Sequence, residues 1–307
     1  MEYKPFGSPA LHEQLEHCAM DGMDLFLLEN DTVRAVVLSG TRLVNQMRGN
    51  HGLGIIETLA LGYGYLAALL ISGTLKDHDR IWLEIACEGP MKGMSVEVNG
   101  LGQVRGYLSV NQFLIKKAPE SFDLSPFIGN GRLTIRRLPE GAREATSGTV
   151  NMDTGSIAHN LAVYFRDSEQ THSAFRLSVW FDRNGELYGA GGILLQALPG
   201  ADPQVLEDLD EWLPQVPDIS KSLASGSTAA SFFHKHFHAF SPRLVGSRPA
   251  EFHCNCSYDS FLSWLSGMSK EQRAELAAGG PMPLELLCHN CGTTYHFDDQ
   301  ALGLEVK

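Results

Sequence analysis

Basic residues are scarce in this chain: 24 Lys and Arg stand against 36 Asp and Glu, for a formal charge of −12. That balance keeps a protein soluble and leaves no electropositive footprint for an extended nucleic acid or an anionic membrane. Cysteine is scarcer still, with six in 307 residues. The first residues, "MEYKPFGSPALHEQLEHC", carry no basic region followed by an apolar one, so no export signal is expected and the working location is the cytoplasm. In a reducing compartment, thiols bind metals or sense oxidants more often than they form structural disulfides. Neither a G-x-x-x-x-G-K-[ST] loop, a G-x-S-x-G elbow nor an H-E-x-x-H pair occurs, and no internal repeat or low-complexity tract is visible. The chain is therefore not expected to be an enzyme.

One apolar run is long. "GLGIIETLALGYGYLAALLIS" (52–72) could span a bilayer by length. Its Glu57, its glycines and the helical recurrence of Leu59, Tyr63, Leu66 and Leu70 fit a buried core helix better. No membrane partner is expected.

The first two hundred residues alternate strand and helix signals. Strands are predicted over 32–40, 80–87, 94–108 with Asn99-Gly100 as a hairpin turn, 132–138, and 175–198 with a turn at Asp182–Gly185. A helix is predicted over 156–170, with Ser156 as N-cap. Hairpins plus separate helices give an α+β fold, an N-terminal core of mainly antiparallel β-sheet packed with helices. After "LPGADP" the texture changes. Asp202-Pro203 opens a helix with Leu206, Leu209 and Leu213 on one face, and Pro214 and Pro217 end it. Small polar residues then dominate up to about 250. The division is thus a core (1–199), a marginally stable helical linker (200–250) and a small C-terminal domain (251–307).

That last unit is too short to hold a sizeable core by burial alone. It contains Cys254 and Cys256 in "FHCNCS", and Cys288 and Cys291 in "CHNCGTTYHF". Four thiols in two tight pairs suit one tetrahedral Zn2+ per chain, which is borderline-soft, redox-inert and without geometric preference of its own. Four ligands close the shell and leave no position for a catalytic water. Structural zinc contributes about 10–16 kcal/mol in such peptides, enough to decide whether the domain folds. An Fe–S cluster is the competing use of four thiolates. His253, His289 and His296 lie near enough in sequence to replace one cysteine. The thirty-one residues between the pairs are expected to include helix, opened by a Ser269/Gln272 capping box and closed near Gly279. Each pair also offers an attacked sulfur its resolving partner within one or two residues, so oxidation could strip the metal of its ligands. Spacing alone does not decide between a passive and a switchable site.

The C-x-C…C-x-x-C ending, together with "VRAVVL", "LAALLISGTLK", "EGPMKGMSVEVNGLGQVRGYL", "GNGRLTI", "GSIAHNLAVYFRDSEQ" and "GGILLQALPGAD", strongly resembles the heat shock protein 33 family of redox-regulated holdase chaperones. The resemblance runs through nearly the whole chain. Its departures are Ala35, where glycine is common after "VR", and Thr146, where an aromatic is common before "SG". The resemblance implies a zinc-bound, inactive monomer when reduced. It implies that oxidation pairs Cys254 with Cys256 and Cys288 with Cys291, releases zinc and unfolds the linker. The protein then forms a homodimer that holds unfolding client proteins without ATP. The alternatives are a passive zinc domain for protein contacts and a thiol oxidoreductase using Cys288 and Cys291; the latter pair does not open a helix in a βαβ unit. The alternating His234, His236 and His238 could form a second metal or pH-sensing site but read more simply as linker. Cys18 and Cys87 are isolated and are expected to be inert.

Overall fold

A run of apolar residues on every side of a helix can be satisfied only inside a core, and that is where residues 52–72 go. The structure, a computed structural model, describes residues 1–114 and 121–304. After α1 (Pro9–His17), strands β1 (Gly22–Leu28) and β2 (Val33–Ser39) form a hairpin followed by α2 (Thr41–His51) and α3 (Ile55–Ser72). Of the α3 residues, all but Ile55 and Tyr63 are buried. It is the one described helix long and apolar enough to cross a membrane, and 89% of that window lies inside the protein.

Two antiparallel sheets enclose α3. Strands β3 (Arg80–Cys87), β4 (Gly93–Asn99), β5 (Gln103–Leu108), β6 (Gly131–Leu138) and β7 (Thr146–Met152) form most of one, with short helix α4 (Ser125–Ile128) before β6. After α5 (Ile157–Ser168), β8 (Ser173–Phe181) and β9 (Leu187–Ala197) complete the other beside β2. Ser156 caps α5 by accepting the His159 N–H at 3.2 Å, as its position before the apolar run predicts. The α+β class is as expected. One turn differs: β4 and β5 are joined by residues 100–102, and the positive φ of +83° falls on Gly102, not Gly100. The Asn99 side chain accepts the Leu101 and Gln103 N–H groups, each at 3.1 Å. An Asx-type turn replaces the two-residue hairpin because Asn bonds its own downstream backbone.

Strand β2 is buried on both faces. Val36 and Leu38 face α3, whereas Ala35 and Val37 face the other way, with Phe26, Ile193 and Leu195. Covering that second face are helices α6 (Pro203–Trp212), α7 (Ile219–Ala224) and α8 (Ala229–Phe237). Leu209, Leu213, Ile219, Leu223, Phe232, Phe233 and Phe237 supply the contact. Phe233 stacks on Phe237 at 4.3 Å between centroids and leans on Phe26 at 4.7 Å.

Nothing in the polarity of residues 243–249 predicts a strand, yet β10 (Arg243–Pro249) pairs antiparallel with β1, from Gly22↔Pro249 to Leu27↔Arg243. It is an edge strand exposed along most of its length, so no alternation marks it. Two residues on, β11 (Glu251–Phe252) crosses to the second sheet and pairs parallel with β5. The final order is β10-β1-β2-β9-β8 and β11-β5-β4-β3-β6-β7. The C-terminal unit follows: α9 (Tyr258–Ser266), α10 (Lys270–Ala278) and the hairpin β12 (Leu284–Leu287) and β13 (Thr294–Phe297). Ser269 and Gln272 form the expected capping box. The unit's own core is four buried side chains, Leu265, Leu284, Phe297 and Leu302.

Candidate metal centre

Each cysteine is placed by backbone that the rest of the fold holds. The His253 N–H donates to Val104 O at 3.0 Å, so Cys254 leaves the edge of the second sheet at a fixed point. Cys256 precedes the Ser257 cap of α9, where Ser257 and Ser260 bond each other's backbone reciprocally. Cys288 and Cys291 occupy the β12–β13 turn. That turn is closed by Cys288 N to Thr293 O at 2.9 Å and Gly292 N to Cys288 O at 2.8 Å.

The four Sγ atoms lie within 4.8 Å of one another. Cys254 and Cys288 are 3.8 Å apart, and Cys256 and Cys291 are 3.4 Å apart. These are not bonded sulfurs, whose separation is about 2.05 Å. They match a tetrahedral shell, in which thiolates at about 2.3 Å from a metal stand about 3.8 Å from each other. Cys254, Cys288 and Cys291 are buried and Cys256 is half-buried. The residues could hold a metal ion.

The electrostatics point the same way. Hydrogen bonds from Cys288 and Cys291, helped by the Arg105 guanidinium, hold the Cys254 thiol far below its usual range. In turn its neighbours rise: the bond to Cys254 dominates at both, and Cys291 is pushed up to about 11. Without a cation the cluster therefore favours a Cys254 thiolate beside protonated Cys288 and Cys291. Four thiolates can coexist only around positive charge. Around them sit further polar groups. Arg105 Nη1 donates to Cys254 Sγ at 3.5 Å, the Tyr295 hydroxyl lies 3.2 Å from Cys256 Sγ while donating to Cys256 O at 3.1 Å, and Thr293 Oγ1 accepts from Cys291 Sγ at 3.2 Å. Such outer partners fix ligand orientation and temper sulfur basicity.

All four cysteines singled out by spacing are thus brought together, and they form the only cluster of three or more potential ligands among the described residues. None of the neighbouring histidines joins it. His289 lies against the Tyr107 ring at 5.7 Å, His296 faces Glu285 at 3.7 Å, and His253 lines a polar surface groove with Arg80 and Glu97. His234 and His236 rest on Phe26 and Phe232, away from any common centre. Cys18 and Cys87 are half-buried, separate, and pushed up by burial. Arg105 escapes any sequence reading, because it lies 149 residues from Cys254 on a strand whose pairing with β11 is invisible in the chain. Thr293 and Tyr295 had a signal, their place directly after the C-x-x-C turn.

Comparison with known proteins accounts for this combination of sheets, covering helices and thiol cluster. The family model described as "Hsp33 protein" matches residues 21–298. A 33 kDa chaperonin of Desulforamulus reducens is 32% identical over 290 residues, which is 91% of this chain and 98% of that one. One from Ruminiclostridium cellulolyticum is 32% identical over 278 residues, covering 90% and 94%. The crystal structure of the Thermotoga maritima 33 kDa chaperonin, a heat shock protein 33 homologue, has the same fold with a TM-score of 0.81 over 93% of this chain and 97% of that one, at 24% identity. The chain belongs to the Hsp33 family, which consists of chaperones and not enzymes.

Proposed function

We propose that this chaperone is an ATP-independent holdase switched on by oxidation, with Cys254, Cys256, Cys288 and Cys291 holding one Zn2+ in the reduced, cytoplasmic form. The observation that carries the reading is the cluster itself: four sulfurs at metal-shell spacing, at the base of a unit whose own apolar cluster, among the described residues, centres on Leu265, Leu284, Phe297 and Leu302. Bound zinc would hold the sulfurs as thiolates and supply much of that unit's stability.

The redox step balances on the chain's own sulfurs. A thiolate attacks the O–O bond of hydrogen peroxide, giving a sulfenic acid and hydroxide. A neighbouring thiol then displaces water from the sulfenic sulfur and forms a disulfide. Two peroxides, reduced to water, account for two disulfides and four lost ligands. The family resemblance assigns the pairs as Cys254–Cys256 and Cys288–Cys291. Since the shortest contacts in the closed site run across the two pairs, this pairing accompanies opening of the site.

Residues 1–199 would form the stable core, 200–250 the responsive linker and 251–307 the switch. The linker helices bury Phe232, Phe233 and Phe237 against β1 and β2. Their release would expose an apolar sheet face and apolar helices to unfolding clients, and would free the surface for a homodimer. Zinc-loaded protein is treated with peroxide at elevated temperature while zinc release, free thiols and suppression of client aggregation are followed together. Loss of zinc and four thiols with gain of holdase activity is expected. Their loss without that gain would leave a passive zinc unit, and equal activity before oxidation would remove the switch.

A further inference from the structure

Asn50 is the last residue but one of α2 and is only 1% exposed. Its side-chain amide has two donors and two acceptor positions, and every one is used. Nδ2 donates to Cys291 O at 2.8 Å and to Glu2 O at 2.7 Å. Oδ1 accepts the Lys4 N–H at 3.1 Å and Gln46 Nε2 at 2.6 Å. One amide thereby joins the start of the chain, α2 and the C-x-x-C turn, 241 residues away. The start of the chain touches that turn directly as well, through Glu2 N to Thr293 Oγ1 at 2.9 Å.

Residues 2–4 are also held by the Tyr3 hydroxyl to Phe252 O at 3.2 Å, Lys4 Nζ to Asn50 O at 3.1 Å and Gln46 Nε2 to Lys4 O at 2.8 Å. Glu2 and Tyr3 are exposed and Lys4 is half-buried, so burial contributes little and hydrogen bonds decide whether the segment stays seated. One of those bonds, Glu2 N to Thr293 Oγ1, ends on the turn that carries Cys291, and two more end on the Asn50 amide that holds the same turn. The turn approaches α2 closely: a Cβ at Gly292 would meet Asn50 O at 2.3 Å.

We propose that Asn50 is a positioning residue for the thiol switch: it couples residues 2–4 to the Cys291 turn, so that the segment is seated while the turn is closed and released when it opens. This rests on the reading of the four cysteines as a metal-held redox switch. Coupling of this kind is reciprocal. Opening the turn removes the Thr293 acceptor and the Cys291 anchor from the segment, and unseating the segment removes support from the turn. The start of the chain therefore sets how readily the cysteines are oxidised.

The test uses the full zinc-loaded chain. Asn50→Asp keeps the shape but replaces both donors with an oxygen, leaving Cys291 O and Glu2 O facing an acceptor. Peroxide-driven thiol loss is expected to quicken about ten-fold, the effect of roughly 1.4 kcal/mol. Lys4→Pro removes the Lys4 N–H and the Nζ bond to Asn50 O while leaving Asn50 and the turn residues unaltered, and should quicken it in the same sense if Asn50→Asp does not fold. In the unaltered chain, the Glu2 and Lys4 amides should be protected from hydrogen exchange with zinc bound and lose protection on chelation. A merely structural asparagine would not produce that response. Protection that survives chelation, or oxidation of both variants at the parent rate, overturns the coupling. Failure of the unaltered chain to bind zinc through its thiols instead overturns the switch reading and the coupling with it.

Discussion

Arg105 reaches from the second sheet to Cys254, its Nη1 3.5 Å from that sulfur, while Nε and Nη2 hold Glu97 at 3.0 and 2.7 Å. A carboxylate on one side and a thiol cluster on the other raise the already high basicity of the guanidinium despite its partial burial. The core thus presents a fixed positive charge to the sulfur that leaves its sheet first. Replacing it by Arg105→Gln removes that charge and one outer contact. Zinc affinity should fall about ten-fold, as for other outer-shell changes, with partial recovery in Arg105→Lys. Competition with a calibrated chelator reads the change.

Binding of the metal should release protons. Cys288 and Cys291 lie above the usual thiol range in the metal-free cluster, whereas Cys254 lies below it. Near neutral pH the first two carry protons that coordination must displace, so about two or more leave per ion bound. Apparent affinity should therefore rise with pH. Calorimetry in buffers of different ionisation enthalpy counts the protons, and a pH-independent affinity would contradict this account.

Gly292 has φ +63° to +65° company throughout the fold, but its own position is the tightest beside the site, with φ +65° and the Asn50 carbonyl 2.3 Å from any added Cβ. Gly292→Ala should be destabilising by about 1–3 kcal/mol at the turn, from strain in the left-handed region and displacement from α2. Faster zinc loss with an unchanged far-ultraviolet spectrum is the expected signature.

Phe233 is fully buried between Phe26 and Phe237. Phe233→Ala should weaken seating of residues 203–237 by about 3–5 kcal/mol, the usual cost of a buried phenylalanine cavity. Limited proteolysis of the reduced, zinc-loaded protein should then cut within this segment while the sheets stay resistant. Holdase activity before oxidation is the accompanying expectation.

Asp21 gives a pH dependence away from the metal. Burial pushes its carboxyl up to about 7, against the lowering effect of the Leu43, Arg42 and Thr41 N–H groups at the start of α2. A folded-state value above the unfolded one favours the protonated form in the fold. Its contribution is fully present below about pH 4 and is lost as pH rises through about 7. Asp21→Asn should flatten the thermal midpoint between those limits.

Much of the fold is legible because local rules act alone there. Strands β3, β6 and β9 announce themselves by apolar patterning, and Ser156, Asp202 and Ser269 mark helix starts through side-chain oxygens that bond the next free N–H groups. β10 and β11 are different. Their partners are β1 and β5, more than a hundred residues upstream, and neither the exposed edge strand nor the two-residue strand needs its own hydrophobic pattern.

The chemistry of the site is legible in the chain itself: four cysteines at two short spacings could share one metal ion wherever they come to lie. Tertiary structure alone decided what surrounds them. Arg105 and Asn50 meet the cysteine-bearing turns through contacts 149 and 241 residues apart in the chain. Ligand identity is a property of side chains and their local spacing, whereas support for those ligands comes from whichever backbone the sheets bring alongside.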